Sequence, residues 1–304
     1  MSLVPPTKVG QLQDALHAKA KGSPNYRFYA LYDKMYRADV LWHALRICQV
    51  NGGAPGVDGQ TFEDIEKYGQ MRWLRELAEE LRTTEYRPKP VRRVYIPKPG
   101  KPGRTRPLGI PTIKDRVVMT AAMLVLEPVF EADLPPEQNA YRPNRSALDA
   151  VKQVSALLHS HHQEVIDADL SGYFDSIPHA ELMKSVARRI SDRHILGLIK
   201  MWLQAPVEET DERGRKRRTT PNKDTGRGTP QGAPITPPTI LQTGNCFWIK
   251  SSRGNACGPA TAKVGIRDNV RRVNDLRTVA IAGGVSHGRF HVSSPPPFAG
   301  GAGF

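Results

Sequence analysis

A mixed α+β chain is what the sequence predicts, on three observations. Apolar residues recur at helical spacing in several separate stretches. A β-branched and aromatic run is followed by a Pro/Gly turn, and a short apolar run holds two aspartates. The 304 residues leave room for two or three folded units. Hydrophobic residues make up 39%, enough for a core.

Taken in order, Gln11–Lys21 places Leu12, Ala15, Leu16 and Lys19 at helical spacing, and Val40–Val50 is a second amphipathic stretch. Asn51–Gly59 is a glycine-rich loop. Thr61–Leu81 predicts one helix with Trp73, Leu74, Leu77 and Leu81 on its apolar face. Val91–Ile96 and Arg104–Ile110 flank a Pro/Gly turn and predict a basic hairpin. Lys114–Leu126 predicts a helix with Val117, Val118, Ala121, Leu124 and Val125 facing the core. Ser146 and Asp149 form a capping box, opening a helix whose face is Ala147, Val151, Val154 and Leu158. Val165–Leu170 predicts a short strand, His179–Ile190 and Ile195–Leu203 predict helices, and Arg213–Arg218 a basic loop tip. Leu241–Phe304 has weak periodicity, ten glycines, eight Lys/Arg and two acids, and reads as disordered.

Lys plus Arg is 44 against 30 acids, a net charge of +14. Such a field favours nucleic acid or an anionic surface as partner; a basic solvated surface is the alternative. No apolar run reaches the ~18–20 residues of a membrane span. The N-terminus lacks a signal-peptide core, so a cytoplasmic location is expected. Three cysteines without C-x-x-C disfavour a disulfide framework and a zinc ribbon. The P-loop, H-E-x-x-H and G-x-S-x-G motifs are absent. His159, His161 and His162 have no Cys or carboxylate at metal spacing.

Three constellations could carry chemistry. Asp167 and Asp169 share one face of a strand, with Asp175 beyond a glycine. Hard oxygen ligands at a strand end suit Mg²⁺; a capping aspartate with a salt bridge is the alternative. Gly228–Pro237 sets glycines beside Gln231, where backbone could approach a base or sugar closely, or simply turn. The hairpin carries Arg92, Arg93, Lys98, Lys101, Arg104 and Arg106, which match phosphate oxygens or form a solvated charged surface.

In order along the chain, these segments resemble the reverse transcriptase domain of group II intron-encoded reverse transcriptase/maturases. The resemblance rests on Ala54–Gly59, Tyr86-Arg87-Pro88, Ile96–Gly100, Arg106–Val118, Asn139–Ala147, Asp169–Asp175 and Gly228–Pro237, and covers roughly residues 25–238. It implies a right-hand fingers and palm fold with the palm incomplete and the thumb absent. Residues 1–85 would be an N-terminal extension with helices, 86–165 the fingers, 166–240 a partial palm, and 241–304 an aberrant tail. The implied activity is RNA-directed DNA polymerisation with a maturase and retrohoming role. Its implied partners are intron RNA, an RNA template with DNA primer, and deoxynucleoside triphosphates; no membrane is implied. By the same resemblance Asp169 is the catalytic, Mg²⁺-binding carboxylate. Arg92, Lys98 and Arg106 contact the triphosphate, Phe174 lies under the incoming sugar, and Gln231 and Gly232 line the nucleotide and template side.

The pattern breaks in one place. The family's Tyr-x-Asp-Asp is absent, as is any adjacent pair of aspartates. Where the family continues Leu-Leu-Ala-Asn, this chain has Ile240-Leu241-Gln242-Thr243. Codons for Leu-Gln-Thr, read one base earlier, can encode Leu-Ala-Asn. The sequence therefore predicts a frameshift near Pro238–Ile240 and a catalytically defective fragment. Two rival readings stand beside it: a non-catalytic module that binds intron RNA, and a reverse transcriptase of the retron or phage-defence type.

Overall fold

The computed structural model describes residues 3–97, 100, 103, 105–140, 142, 145–160, 173–211 and 213–229. Five helices come first: α1 (Thr7–Gly22), α2 (Tyr32–Met35), α3 (Ala38–Asn51), α4 (Phe62–Tyr68) and α5 (Gln70–Arg82). A hairpin of β1 (Val91–Pro97) and β2 (Thr105–Ile110) follows. Next come α6 (Ile113–Glu131), α7 (Ala147–His159), α8 (Tyr173–Ser176), α9 (His179–Ala187) and α10 (Arg193–Leu203). The described chain closes with β3 (Val207–Thr210), β4 (Lys216–Thr219) and α11 (Pro221–Thr225). The class is mixed α+β, as the sequence predicts.

The core is built round α6. Its five predicted core residues are all buried, and so are Met119, Ala122, Leu126 and Val129. A helix that is apolar all round has to be covered all round; α1, α2 and α3 pack against it. Pro128 sits inside α6 and has no N–H, so the Leu124 carbonyl loses its partner within the helix. Gln13 Nε2, from α1, donates to that carbonyl at 3.1 Å.

Two expectations are corrected. The single helix over Thr61–Leu81 is two helices. Gly69, at φ 100°, ends α4 by donating its N–H to the Ile65 and Glu66 carbonyls, and α5 starts afresh at Gln70. The predicted apolar face survives in α5, where Trp73, Leu74, Leu77 and Leu81 are buried. The basic tip at Arg213–Arg218 is in part a strand. The sheet runs β2-β1-β3-β4, with β3 parallel to β1 and β4 antiparallel to β3. Glu208 of β3 faces Arg218 of β4 and accepts from its Nε at 2.7 Å, so β4 is held by charged pairs rather than by an apolar stripe.

Other boundaries shift less. The helix predicted to reach Ile190 ends at Ala187. The Ser146–Asp149 capping box forms and opens α7, on which Val154 and Leu158 are half-buried while Val151 is 49% exposed. The Val165–Leu170 strand and the 241–304 tail lie outside the described residues.

Candidate nucleotide and nucleic-acid site

Strand register decides which hairpin residues can act together. Arg92, Val94 and Ile96 face Ile110, Leu108 and Arg106 across the β1–β2 ladder. Side chains alternate along a strand, so Arg92 and Arg106 lie on one face, about 13 Å apart along the strands. Arg93 and Tyr95 point to the other face, where the Tyr95 hydroxyl donates to Glu209 Oε1 at 3.1 Å. The Arg92 Nε is buried and has no hydrogen-bond partner among the described residues. The Nε atoms of Arg93, Arg116 and Arg189 are in the same state, so the feature does not by itself single out Arg92.

The hairpin is footed in a buried polar cluster. The Tyr86 hydroxyl donates to Asp115 Oδ1 at 2.6 Å, while the Thr112 hydroxyl and the Lys89 N–H donate to Oδ2 at 2.7 and 3.2 Å. Trp202 Nε1 of α10 donates to the Tyr86 hydroxyl at 3.3 Å. Burial pushes the Asp115 carboxyl up from its ordinary range, although its donors act against that. Tyr86 is raised well above the usual phenol range, first by burial and then by the Asp115 charge.

The glycine-rich loop docks on the same turn. Arg116 donates to the Gly52 and Ala54 carbonyls at 3.0 and 2.8 Å. A Cβ on Gly56 would stand 2.6 Å from the Thr112 Cα and 2.7 Å from its nitrogen, so only glycine lets the two backbones approach this closely.

Two segments distant in sequence also meet. Thr229 donates its N–H to the Phe174 carbonyl at 2.8 Å, and Gly228 donates to Ile177 O at 2.9 Å. His179 donates its N–H to Gly226 O at 2.8 Å. Phe174 itself is half-buried and packs against the main core. Thus the Asp169–Asp175 and Gly228–Pro237 segments touch through their described ends. Asp169, Lys98, Gln231 and Gly232 lie outside the described residues.

With that geometry in place, residues 96–243 match the family described as reverse transcriptase (RNA-dependent DNA polymerase). The chain is a relative of the group II intron reverse transcriptase/maturases. It is 36% identical over 203 residues to "Protein YkfC" of Escherichia coli, covering 65% of this chain and 52% of that protein. The "Group II intron-encoded protein LtrA" of Lactococcus lactis is 28% identical over 210 residues, 69% of this chain and 33% of the relative. The "Putative COX1/OXI3 intron 1 protein" of Saccharomyces cerevisiae is 30% identical over 179 residues, 59% and 20% respectively. The chain therefore spans about half the length of the first relative and a third of the second.

In this reverse transcriptase relative, several residues of the quoted blocks form the scaffold that holds the hairpin. Tyr86, Thr112, Asp115 and Arg116 make buried or partly buried bonds that fix the hairpin and the 51–59 loop. Sequence reasoning missed that role. The available signal was a carboxylate three residues after Thr112 on an otherwise apolar helix, which is the pattern of a buried cap. Reverse transcriptases generally use divalent metal ions. Among the described residues no group of three His, Cys, Asp or Glu could hold one. Among the described residues no helix is long and apolar enough to cross a membrane.

Proposed function

We propose that this chain supplies the fingers (86–165) and a partial palm (166–240) of a group II intron RNA-directed DNA polymerase. Residues 1–85 would serve as its N-terminal helical extension. The β1–β2 register carries the reading: it sets Arg92 and Arg106 on one face, as two residues that grip one polyphosphate must be. On this reading Arg92, Lys98 and Arg106 bind the triphosphate of an incoming deoxynucleotide. Phe174 lies under its sugar, and Gln231 and Gly232 line the nucleotide and template side. Mg²⁺ bound through Asp169 would supply charge stabilisation of the departing pyrophosphate. Intron RNA and an RNA template with DNA primer are the macromolecular partners. The work would take place in the cytoplasm.

The same reading makes this particular chain defective in polymerisation. The second carboxylate pair, Tyr-x-Asp-Asp, is absent from the sequence. The family match stops at residue 243, just past the predicted frameshift at 238–240. The binding residues stand before that point, which favours RNA binding without synthesis. Primer extension with Mg²⁺ on a primed RNA template tests it. The expected result is no cDNA above background, with RNA still bound in a salt-dependent way; robust cDNA would overturn the defect. Binding that is indifferent to salt would overturn the nucleic-acid reading. The coding DNA tests the frameshift: a shifted frame that encodes Tyr-x-Asp-Asp downstream of codon 238 is expected.

A further inference from the structure

His179 is the first residue of α9 and is only 8% exposed. Its backbone N–H already serves the Gly226 carbonyl. Its side chain makes a second bond to the same turn: Nε2 lies 2.7 Å from the Gly228 carbonyl oxygen. A carbonyl only accepts, so Nε2 must carry the proton. The Nδ1 atom is buried with no partner among the described residues. The ring therefore makes one directed hydrogen bond and is held by packing otherwise, an arrangement that locks a single tautomer.

Gly228 is closely surrounded. Its backbone is at φ 90°, a region open to glycine. A Cβ there would stand 3.0 Å from Asn222 Oδ1 and 3.3 Å from the Asp175 carbonyl oxygen. The turn is thus clamped between α11, the end of α8 and α9. Directly after it, Thr229 bonds the Phe174 carbonyl through both its N–H, at 2.8 Å, and its hydroxyl, at 3.3 Å.

We propose that His179 is a positioning residue: the Nε2–H bond to the Gly228 carbonyl sets the 228–229 turn on the segment carrying Phe174. The functional half of this inference rests on the reading of Phe174, Gln231 and Gly232 as nucleotide-side residues. His179 touches neither nucleotide nor nucleic acid on this account; it acts through the turn.

Two near-isosteric variants separate this role from simple packing. A glutamine at 179 can place an amide N–H near the Nε2 position, whereas an asparagine reaches only as far as Nδ1. Hydrogen exchange of the Gly228 and Thr229 amides reads the turn, and the Leu196 amide inside α10 reads the bulk fold. Each variant is first shown to melt cooperatively. For His179→Gln, protection at 228 and 229 should stay within about threefold of the parent. For His179→Asn it should fall about tenfold at those two amides and remain unchanged at Leu196. Equal protection in both variants, or an even loss that includes Leu196, overturns the proposal. Binding of a fluorescent deoxynucleoside triphosphate is measured alongside. If the parent binds none, the functional reading of the site fails while the exchange result still decides what His179 does.

Discussion

Gln13 replaces the hydrogen bond that Pro128 takes away. Its Nε2 reaches across from α1 to the Leu124 carbonyl, four residues before the proline, and so completes α6 from outside the helix. Leu124 is 8% exposed, so water cannot take over easily. Gln13→Ala should therefore cost about 0.5–1.5 kcal/mol, the loss of one partly buried hydrogen bond. The cause can be isolated by a second change. Pro128→Ala restores the N–H of residue 128 to the Leu124 carbonyl, and in that background Gln13→Ala should cost less than about 0.5 kcal/mol. Denaturant melts of the four proteins give the coupling directly. Equal costs in both backgrounds would show that Gln13 matters for another reason.

Gly56→Ala should be among the most harmful single-methyl changes in the chain. The added carbon would run into the Thr112 backbone, and backbone has no rotamer with which to yield. A loss of about 1–3 kcal/mol is expected in a thermal melt. Gly22→Ala is the control. That glycine closes α1, is exposed, and has nothing within 4 Å of an added Cβ, so the change should be neutral or slightly stabilising.

Much of this architecture was legible, and the illegible parts share a cause. The five core positions of α6 announce themselves because apolar periodicity is a property of one element, readable without its neighbours. Strand β4 does not, because Lys216 and Arg218 pair with the neighbouring strand through Glu208, and charge has no strand signature. Gly69 interrupts a pattern that is apolar on both sides, so the break between α4 and α5 shows only in its φ. The site divides in the same way. Arg92 and Arg106 are visible as basic residues, but their common face follows from a register that only pairing defines. His179 was hidden because its partner lies 49 residues away; Asp115 had a local signal in Thr112, three residues before it, but its bond to Tyr86 spans 29 residues.

Acid should weaken the chain partly through Glu131. This carboxylate ends α6 and joins Arg142 Nη2 to the His17 ring, whose Nε2 is 2.7 Å away. Burial alone would raise its pKa, but Arg142 and His17 outweigh burial and hold it below the ordinary value. The unfolded carboxylate titrates near ~4.3. Between the depressed folded value and that figure the unfolded chain binds more protons, so stability rises with pH through the window. It is lost as pH falls through the folded pKa. The gap in stability between the parent and Glu131→Gln should shrink steadily as pH falls below about 4. A gap that stays constant down to pH 3 would assign the effect to packing.

The proposed grip on phosphate makes the sharpest demand on Arg92 and Arg106. If each meets a phosphate of single-stranded RNA, each releases a counterion on binding. The slope of log affinity against log salt should then fall in magnitude by ~0.7 for each arginine removed. Arg92→Ala and Arg106→Ala should show this singly, and the double variant should lose ~1.4. The effect belongs to the face and not merely to net charge. Arg82 lies on α5 and not on the hairpin, paired with Glu79, and Arg82→Ala should leave the slope unchanged although it removes the same charge. Arg92→Lys keeps the charge but loses the planar fork, so it should retain the slope while weakening binding of a nucleoside triphosphate. Fluorescence titrations between 50 and 200 mM salt, the ~fourfold range over which such slopes are read, measure the parent and all five variants. An equal drop in slope for Arg82→Ala would reduce the hairpin to one basic surface among many, and with it the argument that β1–β2 register places a phosphate site.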